Sequence, residues 1–102
     1  MKSEVIANPR AERVRRVSEL ADRKGRKRSG RFMVEGPQSV RELLSCHPDI
    51  VEDLYVEVVS AEPDAAFITP TVAQMAGKAM QTGAYVHKVT HAVMQHMSSD
   101  AQ

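Results

Sequence analysis

The sequence predicts an α/β sandwich: a small, mixed sheet, at least partly parallel, with helices on both faces. Segments with apolar residues at helical spacing alternate along the chain with three short runs of strand character. The connections between those runs are long enough to carry helices, which parallel pairing requires. At 102 residues the chain is one domain at most, able to bury roughly 60–70% of its unfolded surface around one core. Aromatic residues are limited to Phe32, Tyr55, Phe67 and Tyr85, so that core rests on Val, Leu, Ile, Ala and Met.

Asn8-Pro9 reads as a helix start, with Asn8 as N-cap and Pro9 at the first helical position. Val14, Val17, Leu20 and Ala21 follow as one apolar stripe, and Glu12–Arg16 and Glu19–Arg23 are i,i+4 pairs in the favourable order. Gly25 is placed to stop this helix. Arg31 to Glu35 reads as a short central strand, after which Gly36-Pro37 turns the chain into a second helix with Val40, Leu43 and Leu44 inward. Leu54 to Val59 alternates as a strand, with Leu54, Val56 and Val58 on one face. Phe67-Ile68 is a short extended stretch. Thr71 caps a third helix whose apolar face is Val72, Met75, Ala76, Ala79 and Met80, and Gly83 ends it. Ala84 to Val89 is the last strand, and Thr90 caps a final helix through Met97.

Several classes of chemistry find no support in the residues. The single cysteine, Cys46, allows no internal disulfide, which favours a reducing compartment; its place on the apolar side of the second helix predicts a buried thiol. No apolar run approaches the ~18 residues that a membrane span needs, and the start of the chain has no signal-peptide pattern; a soluble, cytoplasmic protein is expected. His87 and His91 straddle a strand-to-helix boundary without Cys or carboxylate ligands at metal-site spacing, so solvated or capping histidines are expected rather than a metal site. No Gly-x-Ser-x-Gly and no phosphate-binding glycine pattern occurs. Glu35 stands out at the end of an apolar run. It can act as a catalytic acid, but the favoured role is to accept hydrogen bonds that hold the Glu35-Gly36-Pro37 turn.

Charge is the strongest functional signal. Residues 1–41 hold 12 Lys/Arg against 5 Asp/Glu, and residues 42–102 hold 2 against 8, so the overall +1 hides a basic and an acidic half. The densest block is Arg23-Lys24-Gly25-Arg26-Lys27-Arg28-Ser29-Gly30-Arg31. Small residues alone interrupt it, as in a loop that approaches a polyanion backbone, and Arg10, Arg13 and Arg16 extend it along the first helix. Nucleic-acid contact is the expected role. Aromatic residues are nearly absent from the block, with only Phe32 adjacent, so contact with a folded RNA through its backbone and shape fits better than single-strand stacking.

The run from Asn8-Pro9-Arg10 through the basic block to Arg31-Phe32-Met33-Val34-Glu35-Gly36-Pro37 resembles the N-terminal substrate-binding domain of SpoU (TrmH-type) RNA 2′-O-ribose methyltransferases. The Asp53-Leu54-Tyr55-Val56 and Gly83 to Val89 segments fit as well. The resemblance implies an α/β/α sandwich like that of kink-turn-binding ribosomal proteins, and a role in presenting structured RNA, in particular 23S ribosomal RNA, to a separate knotted domain. That domain binds S-adenosylmethionine, transfers the methyl group and normally makes the homodimer. Its Asn-x-x-x-Arg motif is not found here. The expectation is therefore a substrate-binding domain over residues 1–97, with 1–7 flexible and 98–102 starting a linker. No catalytic residue, metal or cofactor is expected within it, and it should be a monomer by itself. Arg10, Arg13, Arg16, Lys24, Arg26, Lys27, Arg28 and Arg31 would contact RNA, while Asn8, Gly25, Gly30, Glu35 and Gly36 would support the loop and turn. A transfer RNA substrate, or a stand-alone kink-turn-type adaptor, is the alternative.

Overall fold

A computed structural model describes residues 4–98. Most of the expected linker and the first three residues of the expected flexible lead lie outside them. The strands are β1 (Val5–Ile6), β2 (Asp53–Glu57) and β3 (Tyr85–Val89). The α-helices are α1 (Glu12–Ser18), α2 (Arg23–Ser29), α3 (Pro37–Cys46), α4 (Pro70–Thr82) and α5 (His91–Met97), with short 3-10 turns at Glu19–Ala21 and Pro48–Ile50.

The three strands are parallel in the order β1-β3-β2, with Leu54 opposite Val86 and Ile6 opposite Val89. Antiparallel pairing enters only at a bridge from Val58 to Phe67 among the described residues. Alternation along the strands divides the core in two. Leu54 and Val56 pack with Leu44 of α3 and Met75, Ala76 and Ala79 of α4. Val89 packs on the opposite face with Val14 of α1 and Val93 and Met97 of α5. This is the expected three-layer sandwich, with α3 and α4 on one side of the sheet and α1 and α5 on the other.

Local chemistry accounts for the later elements. Gly36 adopts φ 92°, where glycine carries no Cβ penalty, and Pro37 opens α3. The Thr90 hydroxyl accepts from the Val93 N–H at 3.4 Å and caps α5. Gly83 ends α4 at φ 90°. The start of α4 differs from expectation. Thr69, not Thr71, is the N-cap, its hydroxyl accepting from the Val72 N–H at 3.1 Å, and Pro70 takes the first helical position. Met80, expected inward, is exposed near the end of that helix. Cys46 is also exposed rather than buried, because α3 turns Leu44 toward the sheet and Cys46 is its last residue.

The first third of the chain departs most. Residues 31–35 form no strand. The central position belongs to β3, whose two edges are taken by β1 and β2, so no inner edge is open to them. Val5 and Ile6, within the expected flexible lead, supply the third strand instead, and the Thr90 N–H donates to the Ile6 carbonyl at 3.1 Å. Asn8 does not cap α1. Its side chain accepts from the Arg10 N–H at 2.9 Å and its carbonyl from the Ala11 N–H at 3.1 Å, which builds a turn. Ala11 occupies the N-cap position without a side-chain bond.

Candidate nucleic-acid interface

The basic block is a helix, not a glycine-hinged loop. Asp22 starts it, accepting from the Lys24 N–H at 3.1 Å. Gly25, expected to stop a helix, lies inside α2 and is its one buried residue. A Cβ there would overlap the Glu19 carbonyl oxygen and come within 2.7 Å of its carbonyl carbon. The glycine thus permits close packing of α2 on the preceding 3-10 turn. Gly30 ends α2 in the left-handed conformation at φ 71°, its N–H donating to the Arg26 carbonyl at 2.9 Å. Arg26, Lys27 and Arg28 stand in the last turn, where the helix dipole favours positive charge.

The block Arg23–Arg31 contains six Lys/Arg and no acid, and every residue of α2 except Gly25 is exposed. Arg26 donates to the Leu20 carbonyl at 3.0 Å, which ties the helix back to the turn it packs on. Arg31 pairs with Glu52, and that carboxylate pushes the guanidinium pKa still higher, by hydrogen bonding first and by charge second. Among the described residues Arg23, Lys24, Lys27 and Arg28 have no acidic partner. They are four cations carried on a short helix and left to solvent.

The α1 arginines divide by role. Arg16 pairs with Glu12 at 2.8 Å, the expected i,i+4 contact. Glu19 falls in the 3-10 turn and makes no ion pair with Arg23 among the described residues. Arg13 reaches β3, where its Nη1 lies 3.0 Å from His87 Nδ1. Arginine only donates, so Nδ1 accepts, and Nε2–H then donates to Asp53 Oδ1 at 2.8 Å. The His87 ring also stacks on Tyr55, with centroids 4.7 Å apart. Burial raises the Tyr55 pKa, as does the Asp53 charge, against an opposing effect of Arg13. Neither a solvated nor a capping role describes His87. The alternation along β2 and β3 held the signal, since Asp53, Tyr55 and His87 share one face and Tyr55 is in register with His87. His91, the first residue of α5, sits 3.2 Å from the Glu57 carboxylate.

Among the described residues no cluster of three or more His, Cys, Asp or Glu could hold a metal ion, and no helix is long and apolar enough to cross a membrane. Glu35 is half-buried immediately before the Gly36 turn.

A two-faced α/β sandwich that displays a cation-bearing helix on its outside has the form of a small domain able to meet a polyanion. The chain matches the family model of the MRM3-like substrate binding domain over residues 11–102, and it belongs to that family. This agrees with the resemblance to the N-terminal substrate-binding domain of SpoU-type methyltransferases. A search of curated proteins finds no match to the chain. The match leaves out Val5 and Ile6, although they complete the sheet.

Proposed function

We propose that this domain binds structured RNA and presents it to an S-adenosylmethionine-dependent 2′-O-ribose methyltransferase domain, with ribosomal RNA, specifically 23S, as the substrate. The observation that carries the reading is the display of Arg23, Lys24, Lys27 and Arg28 without acidic partners among the described residues, in a chain of a substrate-binding family. The remaining cations serve two purposes. Arg26 and Arg31 hold α2 and the segment after it against the domain, while Arg10 in the turn before α1, and Arg13 and Arg16 within α1, add further positive charge.

Binding through phosphates releases counterions, so affinity for an RNA hairpin should fall linearly in log–log form with salt. Lys27→Ala with Arg28→Ala removes two cations whose side chains make no hydrogen bond or ion pair among the described residues, and the fold should be unaffected. The slope should then drop by about 1.5 units, since each neutralised phosphate accounts for roughly 0.7–0.9. A fluorescence-anisotropy titration between 50 and 200 mM salt, about a fourfold span, checks this. A salt-independent affinity, or an unchanged slope in the double variant, refutes the reading.

A further inference from the structure

Two exposed aromatic residues meet the basic surface from different parts of the chain. Tyr85 opens β3 and is 72% exposed, and Phe32 follows the basic block and is 63% exposed. Glu52 links them. Its carboxylate binds Arg31, next to Phe32, and its carbonyl accepts from the Tyr85 N–H at 2.9 Å. Strand alternation puts Tyr85 on the face that carries His87, in register with Asp53 and two residues from the Tyr55–His87 stack. Arg13 reaches the same face from α1. An exposed ring thus stands on the face that holds the Tyr55–His87 stack, next to the residue that binds Arg31.

We infer that Tyr85, with Phe32 as an accessory ring, is a stacking platform for an unpaired base of the bound RNA. The inference rests on the RNA-binding reading above and specifies its substrate class: a folded RNA with a bulged or looped-out nucleotide, not a continuous duplex. The occupant follows from the surroundings. Through Glu52 the ring adjoins Arg31, the last cation of the basic block that attracts a polyanion, and a base offers a flat apolar face between two phosphates. An apolar protein partner would have to desolvate Arg31, Glu52 and Asp53 at the rim.

The test uses the whole chain and two RNA hairpins, one with a single bulged 2-aminopurine and one with the bulge deleted. The unaltered protein should quench the 2-aminopurine fluorescence and bind the bulged hairpin about five- to tenfold more tightly, the low end of the stacking range for an exposed ring. Tyr85→Ala should abolish both the quenching and the preference. Tyr85→Phe should keep both, since it keeps the ring. The phenol makes no hydrogen bond among the described residues and the strand is held by the backbone, so the Ala variant should fold, as a thermal melt verifies. Equal salt-sensitive binding of the two hairpins, or a preference that survives in Tyr85→Ala, overturns the platform and leaves RNA binding intact. Failure to bind either hairpin overturns both readings. A dimer that Tyr85→Ala dissociates in sedimentation would assign the ring to self-association and also overturn the platform.

Discussion

Gly25 and Gly77 are both helical glycines, and the same substitution at each should act in opposite directions. Gly25 lies in α2 with no room for a Cβ, which would run into the Glu19 carbonyl, a backbone group that cannot swing aside. Relief requires α2 to move off the 3-10 turn, breaking the Arg26 bond to the Leu20 carbonyl. Overpacking of this kind costs about 1–3 kcal/mol. The helical preference of Ala over Gly returns about 0.5–1 kcal/mol. The net expectation is about 0–2.5 kcal/mol of destabilisation, centred at about 1 kcal/mol, with roughly 4–8 °C in Tm for each kcal/mol in a domain of this size. Gly77 in α4 is exposed, and nothing lies within 4 Å of the Cβ it would gain. Gly77→Ala should therefore stabilise by about 0.5–1 kcal/mol. Urea unfolding of both variants measures the global effect. Limited trypsin digestion, which cuts after Lys and Arg, measures release of α2 directly, since detachment exposes the Arg26-Lys27-Arg28 backbone. A Gly25→Ala variant as stable and as trypsin-resistant as the unaltered chain would refute the packing of α2 on the Glu19 turn.

Further outcomes follow from the core and from the strand face. Leu44, 1% exposed between α3 and the sheet, should cost about 2–5 kcal/mol as Leu44→Ala, read as a lower urea midpoint with an unchanged m-value; a loss below about 1 kcal/mol would contradict its place in that layer. The raised pKa of Tyr55 means the folded state holds the phenol proton more tightly than the unfolded chain, whose pKa is near 10. The resulting stability is complete below pH 10 and is lost as pH rises through the folded pKa. Tyr55→Phe should flatten this alkaline decline in a melt series, and an identical decline in the variant would disprove the assignment.

The basic helix shows how far local sequence can mislead about form while identifying content. Arg23 to Arg31 announces a polyanion surface by charge alone. Its two glycines and its like-charge repulsion argue for a loop. The helix exists because Asp22 caps it, Gly30 closes it, and Gly25 fits under the Glu19 carbonyl. The cap and the closing glycine are local signals that the charge run obscures. The third is a packing fact without a local trace. The Phe32-Met33-Val34 run gives the converse lesson. It has strand composition, yet β3 has only two edges and both are filled, one by a two-residue strand too short to carry a periodic signal.

By itself the sequence determined the alternation of helices and strands from α3 onward, the inward face of Leu54, Val56 and Val58, the start of α3 at Gly36 and the end of α4 at Gly83, and the separation of basic from acidic halves. These depend on neighbours a few residues apart, where side-chain period and backbone preference decide the outcome. Only the tertiary structure decided which strand is central and which cations are spent on Leu20, Glu52, Glu12 and His87 rather than left to solvent. It also decided that Arg31 and Tyr85, distant in the chain, both meet Glu52. Such contacts join residues far apart in sequence, and their free energy depends on edges, registers and distances that exist only once the sheet has closed.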